Sequence, residues 1–179
     1  MAVDELSIER SERRWALAMG GVTVLLIAAI VTASVGFNLN PPSNIETIDP
    51  ATIHVSGEFA EGNLGTRLEG KGVVTRLVTT QFSFAPSCVV VPQGTPVTFR
   101  VVSPDVIHGL MVVGTNVNTM VIPGYVSRVR TTFEHAGDVL MPCHEFCGLG
   151  HSQMIAKVRV VPVNEFKPDA DGRALCAEP

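Results

Sequence analysis

The chain has 179 residues, 46% of them hydrophobic and 17% charged, and a formal net charge of -4. Such a composition allows one modest globular domain plus a strongly apolar segment. It carries no basic excess of the kind that nucleic acid demands, so no nucleic-acid partner is expected, and the acidic balance is too slight to dictate docking, because only clustered charge steers association.

The first element is expected at residues 15–37, where no charged side chain occurs. At 1.5 Å per residue this run forms a helix of roughly 34 Å, enough to cross a bilayer core of about 30 Å. The competing reading is a cleaved export signal, with Thr32, Ala33 and Ser34 as small residues for cleavage. The run exceeds the usual apolar core of about 7–15 residues, and a largely polar stretch precedes it, which favours a retained anchor. Arg10, Arg13 and Arg14 crowd its N-terminal side, whereas the next positive charge is Arg67. The positive-inside bias therefore expects residues 1–14 in the cytoplasm and the rest on the periplasmic side of the cell's inner (plasma) membrane.

Residues 38–72 are rich in Pro, Asn, Gly, Glu and Thr without periodicity and read as an extended linker. From Val73 the pattern becomes one of alternation. Val97, Phe99 and Val101 alternate with Thr98 and Arg100; Val129, Thr131 and Phe133 alternate with Arg128, Arg130 and Thr132; Ala156, Val158 and Val160 alternate with Lys157 and Arg159. Period two marks half-buried strands. Turn residues separate them at Pro92-Gln93-Gly94, Pro123-Gly124 and Ala136-Gly137-Asp138. Several short strands at this spacing predict an all-β sandwich or barrel over residues 73–166, with 167–179 as a tail.

The chemistry is concentrated in Cys143-His144-Glu145-Phe146-Cys147-Gly148-Leu149-Gly150-His151-Ser152-Gln153-Met154. Two thiols, an imidazole and a thioether in one short loop make a soft-metal set, and thiolate and thioether favour copper. Gly148 and Gly150 supply the freedom a loop needs to turn its ligands to one centre. His108, in Ser103-Pro104-Asp105-Val106-Ile107-His108-Gly109, completes the set from a neighbouring strand. One mononuclear blue copper needs two His, one Cys and a weak axial group, so the second cysteine points to two metals. Two other readings stand beside this one. Two Cys and two His also make a tetrahedral zinc set, which leaves Met154 without a role, and an oxidising compartment allows a Cys143–Cys147 disulfide.

The C-x-E-x-C-G-x-x-H-x-x-M pattern with the upstream D-V-I-H resembles the dinuclear copper A motif of cytochrome c oxidase subunit II. Gly114-Thr115-Asn116 and Pro123-Gly124 extend the likeness to the short subunit II of ba3-type oxidases over residues 74–163. The resemblance implies a cupredoxin-like Greek-key barrel after one N-terminal transmembrane helix. It implies as copper ligands His108, Cys143, Glu145 through its carbonyl, Cys147, His151 and Met154. It also implies an electron-entry subunit of a haem-copper oxidase, an oxidoreductase complex, with cytochrome c or another small periplasmic donor and catalytic subunit I as partners. Oxygen chemistry is not expected on this chain, which has no C-x-x-C-H haem attachment, nucleotide loop or nucleophile triad. The alternatives are the copper A subunit of a related nitric oxide reductase and a membrane-tethered copper carrier or assembly factor.

The remaining polar and aromatic residues have more ordinary readings. His54, His135 and His144 read as exposed, and Cys88 as a buried small hydrophobe, with pairing to Cys176 as the other outcome. Asp105 reads equally as a turn residue or as the acceptor that fixes the His108 tautomer. Phe82 and Phe84 fall where longer relatives carry aromatic residues near the copper pair, yet core filling is the ordinary use of Phe. Trp15, the only tryptophan, lies at the membrane boundary, and Glu12 reads as a solvated charge flanking the span.

Overall fold

The computed structural model describes residues 5–36, 46–55, 57–174 and 176. It divides into two units, residues 1–44 and 45–179.

The first unit is a helix, α1 (Glu5–Gly36). It begins about ten residues before the uncharged run, because Leu, Glu and Arg at its start are good helix formers and neither Gly nor Pro interrupts them. Among the described residues it is the helix long and apolar enough to cross a membrane. Its threonine hydroxyls are satisfied within the helix: Thr23 donates to the Met19 carbonyl at 2.9 Å and Thr32 to that of Ala28 at 2.7 Å. That local pairing is what hydrocarbon surroundings require of a polar side chain. Glu12 is exposed, and Phe37 lies outside the described residues.

Among its described residues the second unit has eleven strands: β1 (Gly65–Glu69), β2 (Gly72–Thr80), β3 (Ser83–Ala85), β4 (Cys88–Pro92), β5 (Pro96–Val102), β6 (His108–Met111), β7 (Asn118–Val121), β8 (Ser127–Thr132), β9 (Gly137–Pro142), β10 (Ile155–Val161) and β11 (Arg173–Ala174). One sheet runs β11-β1-β2-β5-β8 with β3 also on β2; a second runs β4-β10-β9; β6 and β7 form a hairpin. The pairs β2–β5 and β4–β10 are parallel and the others antiparallel. Val73, Leu77, Val97, Phe99 and Val101 from the first sheet and Val89, Val91, Met141, Val158 and Val160 from the second share one core. The fold is the all-β, cupredoxin-like one expected, with a single apolar helix ahead of it.

The segment expected as a linker, 38–72, is part of this unit through most of its described length. Ile53, Phe59 and Leu64 are buried with Val78 and Val102 in a second core cluster, and β1 is a full strand of the large sheet. Polar contacts add to that hold. Glu58 accepts from Arg76 Nε at 2.8 Å and from Arg100 Nε at 2.6 Å, and Glu46 accepts from Arg100 Nη1 at 2.9 Å. Burial pushes the Glu58 carboxyl up, but the hydrogen bonds and charges of Arg100 and Arg76 together outweigh it and hold the group below its ordinary value. No periodicity announced this segment, since 3-10 turns at Pro50–Thr52 and Glu61–Asn63 carry much of it.

The tail differs similarly. Residues 173–174 pair with β1, and Cys88 and Cys176 are joined in a disulfide with Cα atoms 5.8 Å apart. Of the two outcomes open to Cys88, pairing is the one observed. The Cys143–Met154 segment joins β9 to β10, and a further short strand follows.

Candidate metal centre

Strands β9 and β10 are antiparallel with Pro142 opposite Ile155, so residues 143–154 are a loop pinched at its base. Cys143 N–H donates to the Met154 carbonyl at 3.0 Å and closes that base. Within the loop, His151 N–H donates to the Gly148 carbonyl and Met154 N–H to the His151 carbonyl, both at 3.1 Å, which winds His151–Gln153 into one 3-10 turn. The winding turns Cys143, Cys147 and Met154 into the core, where they are 6%, 5% and 0% exposed. Phe146 and Leu149 are left outside at 73% and 100%.

The sulfurs and the imidazoles converge there. Cys143 Sγ is 4.0 Å from Cys147 Sγ and 3.3 Å from the Glu145 carbonyl oxygen. Cys147 Sγ lies 3.7 Å from both Met154 Sδ and His151 Nδ1. His108 opens β6 in register with Val121 and is fully buried; its ligating nitrogen and the two cysteine sulfurs all lie within 4.8 Å of one another. All six residues singled out in the sequence thus meet in one region, Glu145 by its main chain.

A hydrogen bond orients the His108 ring. Its Nε2 is 2.9 Å from Asp105 Oδ1. Burial pushes the Asp105 carboxyl up, yet hydrogen bonds from His108, the Gln81 and Val106 amides and the Ser103 hydroxyl outweigh it and hold the group below its usual range. An ionised carboxylate only accepts, so Nε2 carries the proton and donates. In the neutral ring Nδ1 is then the lone-pair nitrogen, and it is buried without a hydrogen-bond partner. An orphaned buried nitrogen is rare unless something binds it. Asp105 also accepts from Val106 N–H and Ser103 Oγ, so its turn role and its tautomer role are present together. Burial, reinforced by the neighbouring Cys143, pushes the Cys147 thiol up to about 11. Both cysteines are buried and free of disulfide. Two free thiols, a thioether, an imidazole at hand and a buried orphan nitrogen fit a soft cation, which would displace the thiol protons on binding.

Phe84 is core, whereas Phe82 is 40% exposed and lies on the loop. A Cβ on Gly150 would meet Phe82 Cγ and Cδ2 at 2.5 Å, so close approach of this ring, rather than a special backbone angle, requires glycine there. Gly148 has φ +133° as well as Phe82 and Gln81 within 2.9 Å of such a Cβ. Gly109 is needed for a similar reason: the exposed His144 ring rests directly on it. His54 and His135 are also exposed. Sequence reading missed Gln81, whose side-chain amide donates to the Cys147 carbonyl across 66 residues of chain; no local pattern could have revealed it.

Residues 75–161 match the model of the cytochrome C oxidase subunit II periplasmic domain. A cytochrome c oxidase subunit 2 from Thermus thermophilus is 37% identical over 157 residues, covering 87% of this chain and 92% of the relative. The chain belongs to the cytochrome c oxidase subunit II family. A second Thermus thermophilus subunit 2 is 39% identical over 121 residues, covering 67% of this chain and 90% of the relative. A chain in the cryo-EM structure of a heme-copper terminal oxidase dimer is 28% identical with a TM-score of 0.54, covering 84% of this subunit II chain and 99% of that one. The relatives are subunits of an oxidoreductase complex.

Proposed function

We propose that this chain is the electron-entry subunit of a haem-copper oxidase and holds a dinuclear copper A centre. The ligands are His108, Cys143, the Glu145 carbonyl, Cys147, His151 and Met154. The observation that carries this reading is a buried His108 with an unpartnered Nδ1 and a ring nitrogen within 4.8 Å of two free thiols, of which Cys147 also contacts Met154 and His151. A copper pair held by these residues would supply a one-electron relay between a donor and haem in subunit I.

The chain's own residues prepare that site. Asp105 engages His108 Nε2, which leaves Nδ1 as the free ring nitrogen for a metal. The 3-10 turn sets His151 and Met154 on opposite ends of one short segment, and burial of both cysteines keeps water off the sulfurs. Phe82, Phe146 and Leu149 form an apolar rim over the loop, where a cytochrome c or another small periplasmic donor docks. Orientation follows from Arg10, Arg13 and Arg14: the N-terminus is cytoplasmic and the β-domain periplasmic.

Copper analysis with electron paramagnetic resonance of the loaded full chain tests the reading. Two coppers per polypeptide, with hyperfine coupling to two equivalent nuclei, are expected; one copper, or none, refutes it.

A further inference from the structure

We propose that Gln81 is a positioning residue that fastens both ligand-bearing segments to the end of one strand. The inference rests on the copper A reading of the site. Gln81 follows directly on β2, which lies inside the large sheet, bonded along its length to β1 and β5 and at its end to β3. That end is a stiff reference point, because Val78 pairs with both β3 and β5, Thr79 and Thr80 pair with β3, and the Thr79 hydroxyl donates to the Val102 carbonyl.

Two arms leave the residue. Its backbone N–H donates to Asp105 Oδ2 at 2.7 Å, and the other oxygen of that carboxylate holds His108 Nε2. Its side-chain Nε2 donates to the carbonyl of Cys147. One arm therefore reaches the isolated histidine through Asp105, and the other reaches a cysteine ligand through its own peptide group. The twelve-residue loop is pinned at its base by Cys143 and Met154; Gln81 supplies a second fixed point near its tip. Gly148, next to the anchored peptide, leaves the room this contact needs, since a Cβ there would lie 2.9 Å from Gln81 Nε2.

The side-chain arm can be cut alone. Gln81→Met keeps the length and bulk of the side chain but removes the donor, so the Cys147 peptide is freed while Asp105 keeps its backbone partner. Loss of an interaction that orients a ligand costs about 10–100-fold in metal affinity. Copper loss from the loaded full chain to a chelator should therefore quicken about tenfold, with two coppers still bound at the outset. The midpoint potential and visible absorption should shift with it, and amide exchange at residues 147–150 of the metal-free chain should rise. Gln81→Glu sets a carboxylate against the carbonyl and should act more strongly. Ser83→Ala, which breaks the Thr80–Ser83 hydroxyl contact in the same turn, should leave all four measurements unchanged.

The proposal is overturned if Gln81→Met exchanges copper and absorbs light as the wild type does, or if it lowers thermal stability while copper exchange and potential stay fixed. A wild-type chain that fails to hold two coppers sinks the copper A reading instead. A wild type with two coppers and an indifferent Gln81→Met sinks this inference alone.

Discussion

The two cysteine pairs of the β-domain are chemically alike and end in opposite states. Cys143 and Cys147 are four residues apart with sulfurs at 4.0 Å, yet both remain thiols. Cys88 and Cys176 are 88 residues apart and are bonded. Nearness along the chain is therefore not what selects a disulfide. Around the first pair stand an orphaned imidazole nitrogen, a thioether, a second imidazole and a peptide carbonyl, all of which can serve a cation. The second pair sits between the start of β4 and the residue that follows β11 by two, where its bond ties the tail to the body. One pair is arranged to bind, the other to close a loop.

The comparison can be broken by exchanging what each pair does. Cys88→Ala should lower unfolding free energy by about 4–5 kcal/mol, the chain entropy of a loop of this size, while copper per chain stays the same. Cys147→Ala should do the reverse, abolishing the paired-copper signal with much less effect on metal-free stability. Denaturant titration and metal analysis of both variants check this, and copper loss in Cys88→Ala is the outcome that contradicts it.

Charge at the copper end is the next effect in size. Asp105→Asn keeps the shape of the acceptor and removes its charge, so copper affinity should fall about 10–100-fold. Asp138→Asn, at an exposed ion pair with Arg159, should leave affinity where it was. Equal losses in a competition assay would mean that general electrostatics, and not the His108 contact, is responsible.

Gly150→Ala comes third, because the new methyl must displace the Phe82 ring. Overpacking of this kind costs about 1–3 kcal/mol. Adding Phe82→Ala should restore most of that stability, and failure of the double variant to recover would place the strain elsewhere.

The smallest effect lies far from the loop. Because the Glu58 carboxyl is held below its unfolded value, its contribution is complete above about pH 4.3 and disappears as pH falls through the lower folded value. Glu58→Gln should cost about 1 kcal/mol at pH 7, the upper range for a partly exposed ion pair, and progressively less on acidification below about pH 4. Urea unfolding at neutral and at acidic pH measures the difference; one that grows toward acid reverses the sign and rejects the assignment.

The convergence of the Cys143–Met154 loop was legible because most of the candidate donors lie within twelve residues, so the residue types alone pointed to a soft-metal site. Strands β5, β8 and β10 were legible for a related reason, as alternation is a local property of the chain. The contribution of residues 46–64 to the core was not, because Ile53, Phe59 and Leu64 follow no fixed period. Neither was β11, since two residues cannot display a pattern.

By itself the sequence determined an apolar helix, an all-β domain and a soft-donor loop, each encoded by residues close together in the chain. Only the tertiary structure decided which cysteines pair, why Gly109 and Gly150 cannot carry a side chain, and that Gln81 meets both Asp105 and the Cys147 carbonyl. Those outcomes depend on contacts between segments tens of residues apart, whose meeting is set by sheet order and register rather than by any local spacing.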